Sequence, residues 1–443
     1  MADRYLAQLG QGKTQVRKSR PMTRAFLMSW PLFLGIFLLM VGNGSQGTLL
    51  GIRGNLEGFS TLHLSLVMSA YFAGFLGGSQ LAPELIRRVG HIRVFAALAS
   101  FISAILILYP TITDPWVWIA LRVVFGFCMC GVYVTAESWL NSSTPNNLRG
   151  QTLSLYMIVQ TGGVVAAQAL PMLGDPSQYV LFVVVSVLVS ISFAPILLSV
   201  TPTPTFSSTK RMGIAQLFKV SPLGCVGILL MGGVYSSTFG MASVFGTSAG
   251  LSVSQISLFI AAIYVGGLIC QFPIGWLSDR MDRRRLILAT AAMGAAVAVL
   301  PFLSLSFPVL LAVGAVIGGV SNPLYGLLVA HTADFLEPDD MASASGQLLF
   351  LNGFAAVIGP VITGFAMGTV GPNGFFLFLA VLFAGLTLYA GYRMTRRPAP
   401  AVSETGDFAP VLPTASVVTM EAVAESYMDS EDAEEHEEED HAA

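Results

Sequence analysis

Charge is scarce in this sequence. Only 11% of its 443 residues are charged and 54% are hydrophobic, whereas soluble domains carry about 25% charged residues. A soluble protein of this composition would expose a large apolar surface to water. Apolar runs of about 20 residues recur along the chain, and about 20 helical residues cross the hydrocarbon layer of a bilayer. The composition therefore excludes an ordinary soluble protein and predicts a chain that crosses a lipid bilayer repeatedly.

Catalytic and metal-binding signatures are also missing. The four cysteines, Cys128, Cys130, Cys225 and Cys270, lie in apolar runs and form no CxxC motif, so we expect buried, inert thiols. The chain has no Gly-x-x-x-x-Gly-Lys-Ser/Thr phosphate-binding run and no cluster of histidine, cysteine and carboxylate residues. We therefore expect no enzyme activity, no cofactor and no metal. Nucleic acid is not an expected partner either.

The apolar runs are too long for the strands of a membrane barrel, which have about ten residues and strict alternation. Helices satisfy their own backbone hydrogen bonds in lipid, so the predicted fold is an all-α membrane protein with twelve transmembrane helices. The first run, from about Ala25, exceeds the 7–15 apolar residues typical of a signal peptide and should remain as a span. The predicted spans lie at about 25–50, 64–86, 92–110, 116–140, 151–172, 179–200, 221–246, 253–277, 286–305, 307–333, 346–370 and 373–394.

The basic residues predict the orientation. Of the 22 lysines and arginines, 20 fall before the first span, after the last, or in the loops after spans two, four, six and eight; Arg53 and Arg122 are the exceptions. Positive charge marks the cytoplasmic side, so both termini should be cytoplasmic in a multi-pass protein of the bacterial inner membrane. The acidic loop 334–345 lies on this side too, but acidic residues contribute little to topology.

The chain divides into two similar halves. The first spans of the two halves start 196 positions apart, and Gly150-Gln151 recurs at the same offset as Gly346-Gln347. Such repeats are typical of transporters that alternate access around a site between halves. We predict two pseudo-symmetric six-helix halves. The full division is a basic cytoplasmic segment 1–24, an N-terminal half 25–200, a cytoplasmic linker 201–220, a C-terminal half 221–394 and a tail 395–443.

The tail differs from the rest in composition. It is rich in Pro, Ala and Glu, and residues 398–443 hold 13 of the 25 acidic residues. It cannot bury enough apolar area to fold alone. We therefore predict an acidic, disordered, solvated cytoplasmic tail, with a regulatory arm or a weak divalent-cation binder as the functional alternatives.

A motif lies between the eighth and ninth spans. Segment 275–285 reads GWLSDRMDRRR, which resembles the signature of the major facilitator superfamily: Gly, three residues, Asp-Arg, one residue, Gly, then basic residues. Asp282 stands where the family has Gly. The first half has a degraded copy, in which Pro83 replaces the first Gly and Arg87 replaces the acidic residue, followed by Arg88 and Gly90. The stretches 136–141 and 147–150 also look like a bacterial branch that we call YcaD-like.

The resemblance implies a cytoplasmic latch. In the family this motif closes the cytoplasmic side through an Asp–Arg network, and here the Asp279–Arg280 pair would provide it. A bidentate carboxylate–guanidinium pair that breaks when the halves move gives a two-state latch; the alternative is a plain positive-inside anchor. The predicted latch and gate residues are Gly275, Asp279, Arg280, Arg283, Arg284, Arg88, Gly90, Glu137, Asp334 and, as a partner for Glu137, Arg149.

Polar residues inside the spans are the candidates for a substrate cavity. Arg122 would cost about 2.5–3.5 kcal/mol at a span centre; it either faces a cavity, meeting an anionic group or coupling to protons, or snorkels to the outer interface. Asn43 and Gln46 lie in a glycine-rich part of span one. As a set, the candidates form a mostly neutral cavity: Asn43, Gln46, Tyr71, Arg122, Gln160, Tyr235, Tyr264, Asn322, Tyr325 and Asn352.

These features and the resemblance together predict a secondary active transporter of a small organic solute, working by alternating access as a monomer in the bilayer. Protons are one candidate for the coupling ion, although no carboxylate lies near the middle of a span. The alternative is a transporter-shaped sensor or scaffold without flux, which binds a partner through its acidic tail.

Overall fold

The computed structural model describes residues 21–144, 148–197, 212–336 and 338–396, and in the tail Thr405, Gly406, Phe408, 410–416 and Thr419. The described elements are helical, which confirms the predicted all-α class. The α-helices are α1 (Pro21–Leu56), α2 (Thr61–Val89), α3 (His91–Thr111), α4 (Pro115–Ser143), α5 (Arg149–Ala167), α6 (Val180–Leu197), α7 (Ile214–Val220), α8 (Pro222–Ser248), α9 (Val253–Ser278), α10 (Arg283–Val299), α11 (Phe307–Ala333), α12 (Pro338–Val370) and α13 (Gly374–Met394).

Eleven of the described helices are long and apolar enough to cross a membrane. Helix α6 is equally apolar but shorter, and α7 has only seven residues. The protein is therefore a multi-pass helical membrane protein. We call α1–α6 the N-terminal helices and α8–α13 the C-terminal helices.

Two of the differences from the predicted boundaries lie in stretches that we predicted as a loop and a linker. Helix α12 begins at Pro338, so part of the loop predicted at 334–345 is helical, and α7 occupies the end of the linker predicted at 201–220. Both stretches carry polar residues, so they fall outside the apolar runs that define a span. Proline is well tolerated at a helix start because its missing N–H is not needed there.

The helix packing repeats along the chain. Helices α2 and α4, α1 and α5, and α3 and α6 pack together among the N-terminal helices. The corresponding pairs of the C-terminal helices, α9 with α11, α8 with α12 and α10 with α13, also pack together. The two groups meet where α2 contacts α12, α5 contacts α9 and α1 contacts α8.

Glycines allow two of these pairs to approach closely. A methyl group at Gly74 of α2 would overlap the Val123 carbonyl of α4, and one at Gly126 of α4 would overlap the Tyr71 carbonyl of α2. The same reciprocal arrangement, 192 positions later, joins α9 and α11 through the glycine pair Gly266 and Gly318. Small residues at such crossings are the main means of close helix packing in lipid.

The first prediction concerns this crossing. We expect Gly74→Ala to lower the free energy of unfolding by about 1–3 kcal/mol, because its new methyl group forces two backbones apart. Gly77→Ala, on the same helix, is the matched control, since a methyl group there meets no atom within 4 Å. Unfolding of the two purified variants in detergent measures the difference. Equal stability would contradict the close crossing.

The tail departs most from the prediction. Val411, Ala415 and Ser416 are buried, Val411 with only 1% of its surface exposed, where we predicted a solvated tail. A segment too polar to fold alone can still bury its apolar side chains in a surface that already exists. The acidic stretch from residue 421 onward and the first 20 residues lie outside the described part of the chain.

Candidate functional site

A cavity lies between the N-terminal and C-terminal helices. On one side it is lined by Asn43 of α1, Tyr133 of α4 and Gln160 of α5. On the other side it is lined by Tyr235 of α8, Tyr264 of α9 and Asn322 of α11. The space between these residues is about 430 Å³ when the open solvent at its mouth is included. We call it the central cavity.

A second chamber adjoins the central cavity. Its walls include Tyr71 of α2 and Asn352 of α12, and it shares Tyr235 and the tail residues Pro413 and Thr414 with the central cavity. Seven of the ten predicted cavity residues therefore line these two neighbouring chambers. Residues from both groups of helices meet there because α1 contacts α8 and α2 contacts α12.

The lining has a distinct chemistry. The described side chains around both chambers are amides, hydroxyls, phenols and apolar groups, and none of them carries a charge. Phe239 stacks on Tyr235 with ring centroids 5.8 Å apart, and its centroid lies 5.7 Å from that of Tyr71. Aromatic faces beside a few amides suit a ligand that has a ring and neutral polar groups.

Arg122 is not in this cavity, contrary to the cavity interpretation, and it does not snorkel to the interface either. Its side chain is fully buried among α1, α2 and α4, where Nη1 donates to Gln46 Oε1 at 2.7 Å. Its guanidinium lies 4.8 Å from the ring centroid of Tyr71. The cation is thus held by a neutral carbonyl and a ring face. Tyr325 is also fully buried and lines neither chamber.

The latch motif forms an ion-pair cluster centred on Arg283. This arginine, with only 2% of its side chain exposed, forms an ion pair with Asp334 and donates to Ser278 Oγ at 3.0 Å. Its Nη2 lies 3.8 Å from Asp279 Oδ1. The cluster therefore joins the end of α9, the start of α10 and the end of α11. We call Asp279, Arg283 and Asp334 the latch cluster.

Arg280 lies outside this cluster, contrary to the predicted Asp279–Arg280 pair. Its Nη1 donates to the Trp276 carbonyl at 3.0 Å and its guanidinium lies 4.3 Å from the Trp276 ring centroid. It is exposed, because helix α9 ends at Ser278 with Asp279 as its C-cap, and the turn that follows directs the next arginine outward. Arg283 stands four positions after Asp279 and reaches back to it.

The departure from the family motif at Asp282 has a local explanation. Asp282 Oδ1 caps α10 by accepting from the Arg284 backbone N–H at 3.0 Å, and Oδ2 pairs with the Arg284 side chain at 2.9 Å. Burial raises the pKa of Asp282, but the hydrogen bonds from Arg284 outweigh it, and the pKa is lowered overall. The Arg284 side chain therefore pairs with Asp282, the residue that caps the helix to which Arg284 belongs.

The first-half copy of the motif forms no equivalent cluster among the described residues. Arg87 and Arg88 pair with Glu84 at 2.5 and 2.6 Å, and both arginines are mostly exposed. Gly90 has a φ of +87°, a conformation that favours glycine, and it ends α2 by donating to the Ile86 carbonyl at 2.8 Å. This copy serves as a helix end with a surface ion pair.

Glu137 lies in the last two turns of α4, six residues before the helix ends at Ser143. It is buried, and its carboxylate accepts from Tyr156 Oη at 2.7 Å and from the Ser416 backbone N–H at 2.9 Å. The proposed partner Arg149 has a side chain outside the described part of the chain, so that pairing stays a prediction.

Sequence reasoning missed several residues of the site. Tyr133, Thr161 and Phe239 line the central cavity, and Tyr156 binds Glu137. One signal was available: Tyr133 lies four positions before Glu137 and therefore on the same helix face. No local pattern indicates that Pro413 of the tail lies in the cavity.

A bundle of apolar helices that surrounds an uncharged cavity with amide and phenol groups between its N-terminal and C-terminal parts defines a membrane protein of the transporter class. The chain belongs to the major facilitator superfamily. The sequence model of this family, described as Major Facilitator Superfamily, matches residues 32–253 and again residues 223–424.

Relatives agree with this membership. The chain is 25% identical over 359 residues to the MFS-type transporter YcaD of Escherichia fergusonii, covering 79% of this chain and 91% of YcaD. It is 26% identical over 379 residues to the MFS-type transporter YE1530 of Yersinia enterocolitica, covering 83% and 95%. These matches support the YcaD branch of the family.

Solved structures share the fold. A variant of the nucleoside transporter NupG has a TM-score of 0.71 at 14% identity, over 82% of this chain and 99% of NupG. A bacterial homologue of the human lysosomal transporter Spinster, inward-facing and occupied, has a TM-score of 0.63 at 16% identity, over 92% and 96%. At these identities the likeness shows the fold alone.

Proposed function

We propose that this protein is a secondary active transporter that moves a small organic solute across the bacterial inner membrane by alternating access. The observation that carries the proposal is the central cavity, whose neutral polar walls come from the N-terminal and C-terminal helices alike. Movement of one group of helices against the other would open such a site to either side in turn.

The architecture behind this proposal is twelve spans in two six-helix halves. Three helix pairs recur between the groups, and the reciprocal glycine crossing recurs 192 positions later. Helix α6 takes the place of the sixth span, opposite α13 of the second half. Both termini would face the cytoplasm, since 20 of the 22 basic residues fall on the same face of this proposed topology as the termini, and positive charge favours the cytoplasmic side.

We propose an uncharged solute of modest size that contains an aromatic ring. The amides of Asn43, Gln160 and Asn322 would bind its polar groups, and Tyr235 with Phe239 would pack against its ring. A charged solute would find no opposite charge among the described lining residues, and burying an unpaired charge is costly. Nucleosides, the named substrates of the fold relative NupG, have this chemistry.

The test is flux in proteoliposomes, with a panel of nucleosides, other neutral ring compounds and charged metabolites read by mass spectrometry. We expect uptake of one neutral class, and comparison with and without an imposed pH gradient would show whether protons drive it. A panel in which only charged solutes move would contradict the proposed substrate class. No movement of any solute would count against transport itself.

The second prediction assigns a role to Gln160. We expect Gln160→Leu to lower the specificity of transport, kcat/KM, by about ten- to a hundredfold, because a polar group of the bound solute loses its partner. Gln80→Leu is the matched control, since Gln80 is exposed on α2 and lines neither chamber. The same loss in both variants would indicate a general defect and contradict the assignment.

A further inference from the structure

The described residues of the tail lie inside the protein, between the two groups of helices. Leu412, Pro413 and Thr414 line the central cavity, and Pro413 and Thr414 also line the adjoining chamber. Val411, Ala415 and Ser416 are buried. The chain's own C-terminal segment thus fills space that a solute would need.

Among the described residues, backbone groups of the tail make four hydrogen bonds that help to hold the segment. The Phe408 N–H donates to Asp279 Oδ1 at 2.8 Å, and the Gly406 carbonyl accepts from Arg283. Deeper in, the Pro413 carbonyl accepts from Asn352 Nδ2 at 3.0 Å. Beyond it, the Ser416 N–H donates to Glu137. Backbone groups that enter a cavity must be paired, and here the site residues pair them.

The Phe408 ring adds a shape-specific contact. It lies against Gly275 of α9 and Gly326 of α11, where an added methyl group at either glycine would come within 3.0 Å of the ring. Gly275 is the first glycine of the family motif. In this protein the Phe408 ring of the tail packs directly against it.

We propose that the described tail residues, Thr405, Gly406, Phe408, 410–416 and Thr419, form an intramolecular plug that occupies the central cavity and excludes solute from it. The plug contacts Asp279 and Arg283 at the ends of the C-terminal helices and Glu137 in the N-terminal helices. It therefore also stands between two surfaces that must close together during alternating access. Its release would precede a transport cycle. The consequence for flux rests on the proposed function; the occupancy of the cavity does not.

A labelling experiment on the full-length chain tests occupancy directly. The native cysteines are replaced by alanine, and Thr161→Cys places a reporter thiol in the cavity wall beside Leu412. Val411→Asp then puts a charge at a buried apolar position of the plug, and we expect the reporter to react at least about tenfold faster with a bulky impermeant maleimide. Ala401→Asp adds the same charge to the tail outside the seated segment and should leave the rate unchanged.

The outcomes separate the plug from the proposed function. Equal labelling rates in the parent, Val411→Asp and Ala401→Asp proteins would overturn the plug. Phe408→Ala removes the ring that packs against Gly275 and should also make labelling faster. This second variant shows that the effect does not depend on one substitution. Because these changes lie in the tail, each variant should still unfold in one cooperative transition well above the labelling temperature, so that faster labelling does not come from unfolded helices.

Flux measurements complete the test. Val411→Asp in the otherwise native chain should transport the solute faster than the parent and Ala401→Asp proteins. Faster labelling with equal flux would overturn the inhibitory role. If neither the parent nor either variant moves any solute, the result counts against transport. The labelling rates still decide whether the segment occupies the cavity.

Discussion

Arg283→Met is expected to lower the free energy of unfolding by about 3–5 kcal/mol, because it removes the guanidinium that pairs with the buried carboxylate of Asp334. Both side chains are almost fully enclosed, with 2% and 4% of their surfaces exposed. The measurement is unfolding in mixed detergent micelles, followed by tryptophan fluorescence. Arg280→Met is the control, three positions earlier in the same motif, and it should have a small effect because Arg280 rests on the exposed ring of Trp276.

A double variant distinguishes the ion pair from a packing effect. Replacing both partners, Arg283→Met with Asp334→Leu, removes the buried carboxylate together with the guanidinium, so most of the lost stability should return. Loss of stability that persists in the double variant, or equal losses for Arg280→Met and Arg283→Met, would contradict Arg283 as the centre of the latch cluster. Faster exchange between conformations in the stable double variant would support a latch role.

Arg122→Ala is expected to lower the free energy of unfolding by about 3 kcal/mol or more. The truncation leaves a void in a fully buried site and removes the donor to Gln46 Oε1. The same unfolding assay measures the loss. If Arg122 instead met a solute in an open cavity, the variant would change flux and leave stability nearly unaltered.

The control for Arg122 restores the volume and removes the orphaned acceptor. Arg122→Met together with Gln46→Leu fills the site with apolar groups, which protein interiors tolerate when volume is kept. We expect this double variant to recover most of the stability that Arg122→Ala loses. A double variant as unstable as Arg122→Ala would indicate that the charge itself holds α1, α2 and α4 together.

Hydrophobic run length determines much of this protein without any tertiary information. The all-helical class, the succession of apolar helices and the family motif at 275–285 follow from local composition, because lipid leaves few alternatives to a helix. The limits of that reasoning are visible at the ends of helices. Helix α12 continues through polar residues to Pro338, where hydropathy no longer reports on structure.

The candidate site was predictable in kind but less so in detail. Amides and phenols inside spans indicated a neutral cavity, and Asn43, Gln160, Tyr235 and Asn322 do line it. Arg122 had the strongest signal, yet it lies outside the cavity. A buried charge in a span shows that the position matters energetically, but it does not show which neighbours the charge meets.

By itself, then, the sequence determined a multi-pass helical protein with its family motif, because both depend on neighbours along the chain. Tertiary structure alone decided that Arg283 rather than Arg280 binds Asp334, since those residues lie 51 positions apart. It also decided that the tail enters the cavity, since Ser416 meets Glu137 across 279 positions. Such contacts depend on how helices and tail pack in space, and no local periodicity records that packing.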